Sequence, residues 1–195
     1  VESMLLYDEN DTGIEDINEF KPSYAAEIFL GSMTQCCNHA KLVELLTPIL
    51  EAFTKSDSWI YNHAALLIFM SLTKNAIKDA SVVELILVLF RYAVSQLQSN
   101  VPNIIDTAYF SIGQCLAQFH HQIYQLSDVH ELFNKILSTF SITDKTPYPY
   151  LHKYIEILRR ILCTICYRPE RTNVIIKKAT QLIDSFFELS INIGN

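Results

Sequence analysis

Residues 56–72 read SDSWIYNHAALLIFMSL, and from Ala64 to Leu72 only Ser71 interrupts a run of apolar side chains. Counting from Ala65, the apolar positions Ile68, Phe69 and Leu72 follow the three-, four- and seven-residue steps of a helix face. Ser56, Asp57 and Ser58 stand where side chains cap a helix start, so the spacing predicts a helix beginning near Trp59. Such a helix is too apolar to lie on a surface and must be covered by neighbours.

Related stretches recur along the chain: PSYAAEIFLGSM at 22–33, NIIDTAYFSIGQCL at 103–116 and YLHKYIEILRRIL at 150–162. With Ala26, Ala65, Ala108 and Tyr154 as equivalent points, the separations are 39, 43 and 46 residues. Between these stretches lie amphipathic segments at 40–54, 79–98, 126–141 and 171–191, each long enough for about four helical turns. One antiparallel helix pair per repeat of roughly 40 residues is the signature of a HEAT or armadillo-like solenoid.

The expected fold is therefore an all-α, α-α superhelix of about four helix pairs. Its repeats fall near 22–54, 58–98, 101–141 and 147–192, preceded over 1–21 by the end of a helix and an acidic loop. Trp59 is expected to seal the seam between paired helices, and small Ala64 and Ala65 to let them approach closely. Pro48 should bend the 40–54 helix, whereas Pro102 suits a first helical turn. The opening VESMLL reads as the tail of a helix, as expected of a piece of a longer array.

Composition agrees with helices. Half of the 195 residues are hydrophobic, and 4 glycines and 6 prolines are too few for a turn-rich β architecture. No run of 18 apolar residues predicts a membrane span, and no secretory signal is recognised at the N-terminus. The five cysteines are read as thiols in a reducing compartment, the cytoplasm or nucleus. The net charge of −6 is concentrated in residues 1–20, which hold seven acids and no Lys or Arg. Without a basic cluster nucleic acid is a poor partner, and a basic protein segment is a better one.

Candidate chemistry is sparse, and no catalytic residue, metal or cofactor is expected. His120, His121, His130 and His152 have no nucleophile partner at an interpretable spacing, and no Gly-rich phosphate loop is present. Cys163 and Cys166 form a lone CxxC within a helix, and Cys36, Cys37 and His39 offer at most two convergent ligands, so packing is the reading for both groups. The acidic stretch DENDTGIEDINE (8–19) reads either as a solvated loop or as an arm that steers a basic partner.

In order, the chain presents DENDTGIED, YAAEIFLGSMTQCC, LVELLTPILEAF, SDSWIYNHAALLIF and DTAYFSIGQCLAQF, the last with Asp106, Thr107, Ala108 and Gly113. This succession over about residues 1–120 resembles the central HEAT repeats of the importin-beta (karyopherin-beta) family of nuclear transport receptors. The resemblance implies that 22–37, 58–74, 101–118 and 148–166 are inner helices. It implies an acidic-loop role for Asp8, Glu9, Asp11, Glu15 and Asp16, an inner acid at Asp106, and cation-stacking rings at Phe110 and Tyr154, where the family tends to have Trp. Phe110 also fits a core position. The implied partners are importin alpha or a basic cargo segment, the Ran GTPase, and FG nucleoporins through the parent protein; the implied location is the cytoplasm and nucleus. The Trp59 turn reads Ile60, Tyr61, Asn62, His63 where the family has an Arg, which suggests a different cargo. A HEAT scaffold for a phosphatase, cytoskeletal or chromatin assembly is the alternative.

Overall fold

A computed structural model of the chain describes residues 28–33, 36, 38–74, 79–140, 148–165 and 173–193. Its regular structure is helical throughout, with no strand among the described residues. Helix α1, described over 28–33, is followed by α2 (His39–Thr54), α3 (Trp59–Lys74), α4 (Ala80–Gln96), α5 (Pro102–Tyr124), α6 (Val129–Ser138), α7 (Tyr148–Ile165) and α8 (Asn173–Ile193). The chain divides into two compact units between Gln118 and Phe119.

In the first unit, the apolar stretch of the opening becomes α3. Ala64, Ala65, Leu66, Ile68, Phe69 and Leu72 are all fully buried, and residues this close in sequence point to every side of a helix. Neighbours must therefore surround α3. It packs against α2 and α4, which also touch each other. It meets α5 through a 2.9 Å hydrogen bond between His63 Nε2 and Thr107 Oγ1, and through Ser111 Oγ, which lies 3.5 Å from the Leu66 carbonyl. Burying Phe69 or Leu72 contributes about 1.5–3 kcal/mol each, so this one helix is a large share of the unit's driving force.

Local chemistry sets the helix starts. Asn38 Oδ1 accepts from the Lys41 N–H to cap α2, and Asp79 Oδ1 accepts from the Ser81 N–H to cap α4. The Ser58 carbonyl accepts from Asn62 N–H at the start of α3, while Ser56 Oγ holds the turn through Ser58 N–H. Pro102 opens α5, with the Val101 carbonyl accepting from the N–H groups of Ile104 and Ile105. Trp59 is partly buried at the first position of α3.

In the second unit, α8 packs on α6 and α7. Lys178 Nζ on α8 lies 3.5 Å from the Asn134 carbonyl on α6. Phe140 stacks on Tyr154, with ring centroids 4.4 Å apart and planes 17° apart.

Three helices bear on the sequence expectation. The backbone of α5 leaves helical geometry at Phe119, where φ is −121° and ψ is 23°, so its first segment ends at 118, as the 101–118 reading has it, and a short second segment runs to Tyr124. Helix α6 stops at Ser138, shorter than 126–141; Thr139 turns back there, with its N–H and Oγ1 both bonded to the Ile136 carbonyl. Helix α2 runs through Pro48 unbroken. Pro48 and Glu44 are both exposed, so the carbonyl freed by the missing N–H faces water.

Candidate functional site

Helix α5 is amphipathic in three strips. One, with Ala108, Ile112 and Cys115, is buried, and a second, with Thr107 and Ser111, faces α3. Asp106, Phe110 and Gln114 follow one another at four-residue steps, on one face, on the remaining strip. Phe110 is 51% exposed, so the core position that the sequence also allowed is not the one it takes. Asp106 is partly buried one turn before it, and the Gln114 Oε1 atom one turn after it is buried without a hydrogen-bond partner among the described residues.

A carboxylate, an open aromatic face and an unused carbonyl oxygen all favour one kind of visitor. The carboxylate attracts a cation, the ring stacks on a guanidinium or on the stem of a Lys, and the amide oxygen accepts an N–H. Gln114 was absent from the sequence-based site. Its signal was available: it falls at the next step of the Asp106 and Phe110 spacing.

The strip is held by the α3 bridge behind it. Thr107 donates its single hydroxyl proton to the Asn103 carbonyl at 2.8 Å, so toward His63 its oxygen acts as acceptor and the imidazole donates from Nε2. Burial holds His63 below the ordinary histidine value near 6.5, so it is neutral at physiological pH. Nearby, the Tyr92 hydroxyl on α4 donates to Asn62 Oδ1 at 2.8 Å, and burial pushes that phenol well up, which keeps it a donor.

The other site residues read from the sequence fare differently. Tyr154 is only 7% exposed and its ring is engaged with Phe140, so it is a core residue whose face is not open to a cation. Asp8, Glu9, Asp11, Glu15 and Asp16 lie outside the described residues, and the reading of the acidic loop with them. The exposed strip of α7 carries an ion-pair cluster instead: Arg159 Nε and Nη2 donate to both oxygens of Glu156, at 2.9 and 2.8 Å, and Arg160 Nη2 reaches Glu156 Oε1 at 2.6 Å. These hydrogen bonds, Arg159's first, hold the Glu156 carboxyl down at about 2.

Cys36 and Cys163 are exposed free thiols and Cys115 is a buried one, whose thiol burial pushes up; Cys37 and Cys166 lie outside the described residues. Among the described residues, no three His, Cys, Asp or Glu side chains come together as a metal site, and no helix is long and apolar enough to cross a membrane.

Neither a scan against protein-family models, nor a search of curated proteins, nor a search of solved structures returns a match to this chain.

Proposed function

We propose that the chain is a HEAT-like helical solenoid that works by reversible protein binding, as part of an importin-beta-like nuclear transport receptor, and that Asp106, Phe110 and Gln114 grip a Lys/Arg-rich segment. The solenoid reading is supported by where the polar contacts between non-adjacent helices fall: His63 with Thr107 at 44 residues, Ser111 with Leu66 at 45, and Lys178 with Asn134 at 44. His39 Nδ1 and Asp79 Oδ2, 3.8 Å apart, add a contact at 40. Contacts that recur at about the period of the sequence repeat are what stacked helix pairs produce. The observation that carries the binding reading is the half-exposed Phe110 ring, set between a carboxylate and an unpartnered amide oxygen.

Fluorescence anisotropy with a labelled Lys/Arg-rich peptide tests it. Binding should weaken as salt is added, because an acid-to-cation contact is screened. Asp106→Asn should weaken binding about tenfold, the equivalent of roughly 1.4 kcal/mol. Phe110→Ala should weaken it several-fold. Peptide affinity unchanged in both variants would remove the site. Binding of GTP-loaded Ran that is lost when Asp8, Glu9 and Asp11 are all replaced by Ser would support the transport assignment.

A second reading, a scaffold for another assembly, draws on α2 and α4. These contacting helices each leave a large aliphatic side chain, Leu45 and Val88, about three-fifths exposed. Retention of a partner after Asp106→Asn but not after Leu45→Ser with Val88→Ser would favour it.

A further inference from the structure

Helix α3 and the first segment of α5 both lie in the first unit, and two polar rungs join them. The first is the hydrogen bond between His63 and Thr107, and the second brings Ser111 Oγ to 3.5 Å from the Leu66 carbonyl. Residue numbers rise together from one rung to the next, so the two helices run parallel, offset by 44 to 45 residues. Seven residues make almost two helical turns and return a side chain to the same side. Met70 follows His63 by seven and Gln114 follows Thr107 by seven, so these two form a third rung.

This rung does not close. Gln114 Oε1 is buried with no hydrogen-bond partner among the described residues, and Met70 explains why, since a thioether has no proton to donate. A buried acceptor without a donor is a standing cost that an incoming N–H relieves. Met70 and Gln114 are both partly exposed, so the rung lies at the surface, and the half-exposed Phe110 ring stands one turn before the amide.

We propose, resting on the basic-segment reading above, that this notch makes the site select arginine over lysine. A guanidinium lying flat on the Phe110 ring keeps its N–H groups in its own plane, directed past the ring edge, where one donates to Gln114 Oε1. Asp106, one turn to the other side of the ring, attracts the same charge. The Met70 side chain, unbranched and adaptable, moves aside to uncover the oxygen and then lies along the methylene stem of the arginine. An ammonium is a compact, strongly hydrated charge with no flat face, so setting it against a ring and a buried amide strips water that one hydrogen bond does not replace.

Fluorescence anisotropy on the full chain tests this with two labelled probes of equal charge, hexa-arginine and hexa-lysine, at the same salt concentration. Hexa-arginine should bind about tenfold tighter, the worth of one hydrogen bond from a charged donor. Arginine stacks on aromatic surfaces more readily than lysine wherever it finds them, so two variants on opposite sides of the notch carry the decision. Gln114→Met removes the acceptor, and Met70→Gln supplies it with an internal donor from the facing helix; each should remove most of the preference. Asp106→Asn should weaken both probes by a similar factor and leave their ratio, because a carboxylate serves either cation. Equal binding of the two probes by the unaltered chain, or a preference that either notch variant leaves unchanged, overturns the selectivity while the grip on basic segments stands. If neither probe binds, the grip itself is lost and the selectivity with it.

Discussion

When Ala108 is aligned with Tyr154, the strips of helices α5 and α7 correspond residue for residue. In that alignment Asp106, Phe110 and Gln114 of α5 correspond to His152, Glu156 and Arg160 of α7. On α5 the strip ends in groups with unmet chemistry, an open ring and an unpartnered amide oxygen. On α7 the central carboxylate is already committed to two guanidinium groups. At corresponding positions α5 therefore carries an open ring where α7 carries a paired carboxylate, and each helix holds a buried polar atom without a partner among the described residues, Gln114 Oε1 and Arg160 Nε.

The largest expected difference between these helices concerns their aromatic rings. Tyr154→Ala empties a buried, stacked position and should cost about 3–4 kcal/mol in urea unfolding. Phe110→Ala removes a ring that is half in water, and its stability change should stay within about 1 kcal/mol while peptide binding falls. Equal losses of stability in the two variants would erase the distinction.

A smaller effect separates the two units by pH. The unfolded chain binds a proton at His63 near pH 6.5, whereas the buried folded residue resists it, so lowering the pH through that value favours unfolding of the first unit. The contribution is complete above that pH and decays below it. His63→Gln keeps a donor for Thr107 and should flatten the pH dependence, read from thermal midpoints between pH 7.5 and 5.5.

The smallest effect belongs to α7. Glu156 is held down near 2, so its stabilising pairing is fully present above the ordinary glutamate value of 4.5 and is lost as the pH falls toward 2. The cluster is partly exposed, and Glu156→Gln should cost no more than about 1 kcal/mol at neutral pH, less in high salt. An unfolding titration at pH 7 and pH 3 should show the two chains converging in acid.

Much of the helical pattern was legible because it depends on periodicity. The step from Ala65 to Leu72 and Pro102 at the start of α5 each act through local physics that a single sequence displays. The early stop of α6 and the break at Phe119 have no Pro or Gly beside them to announce them in the sequence. In the candidate site, Asp106 and Phe110 came from the family resemblance, and the structure sets them on one face of α5. Gln114 lies at the next four-residue step, and its buried, unmatched oxygen became visible only in the structure. Tyr154 misled for an instructive reason: at the register that aligned it with the buried Ala108, an inward position was already implied.

The polar links between helices described above join residues no more than 45 positions apart. A segment leaving the ribosome therefore meets the partner of such a link within at most 45 further residues, and each loop closed this way stays short, with a modest entropy cost.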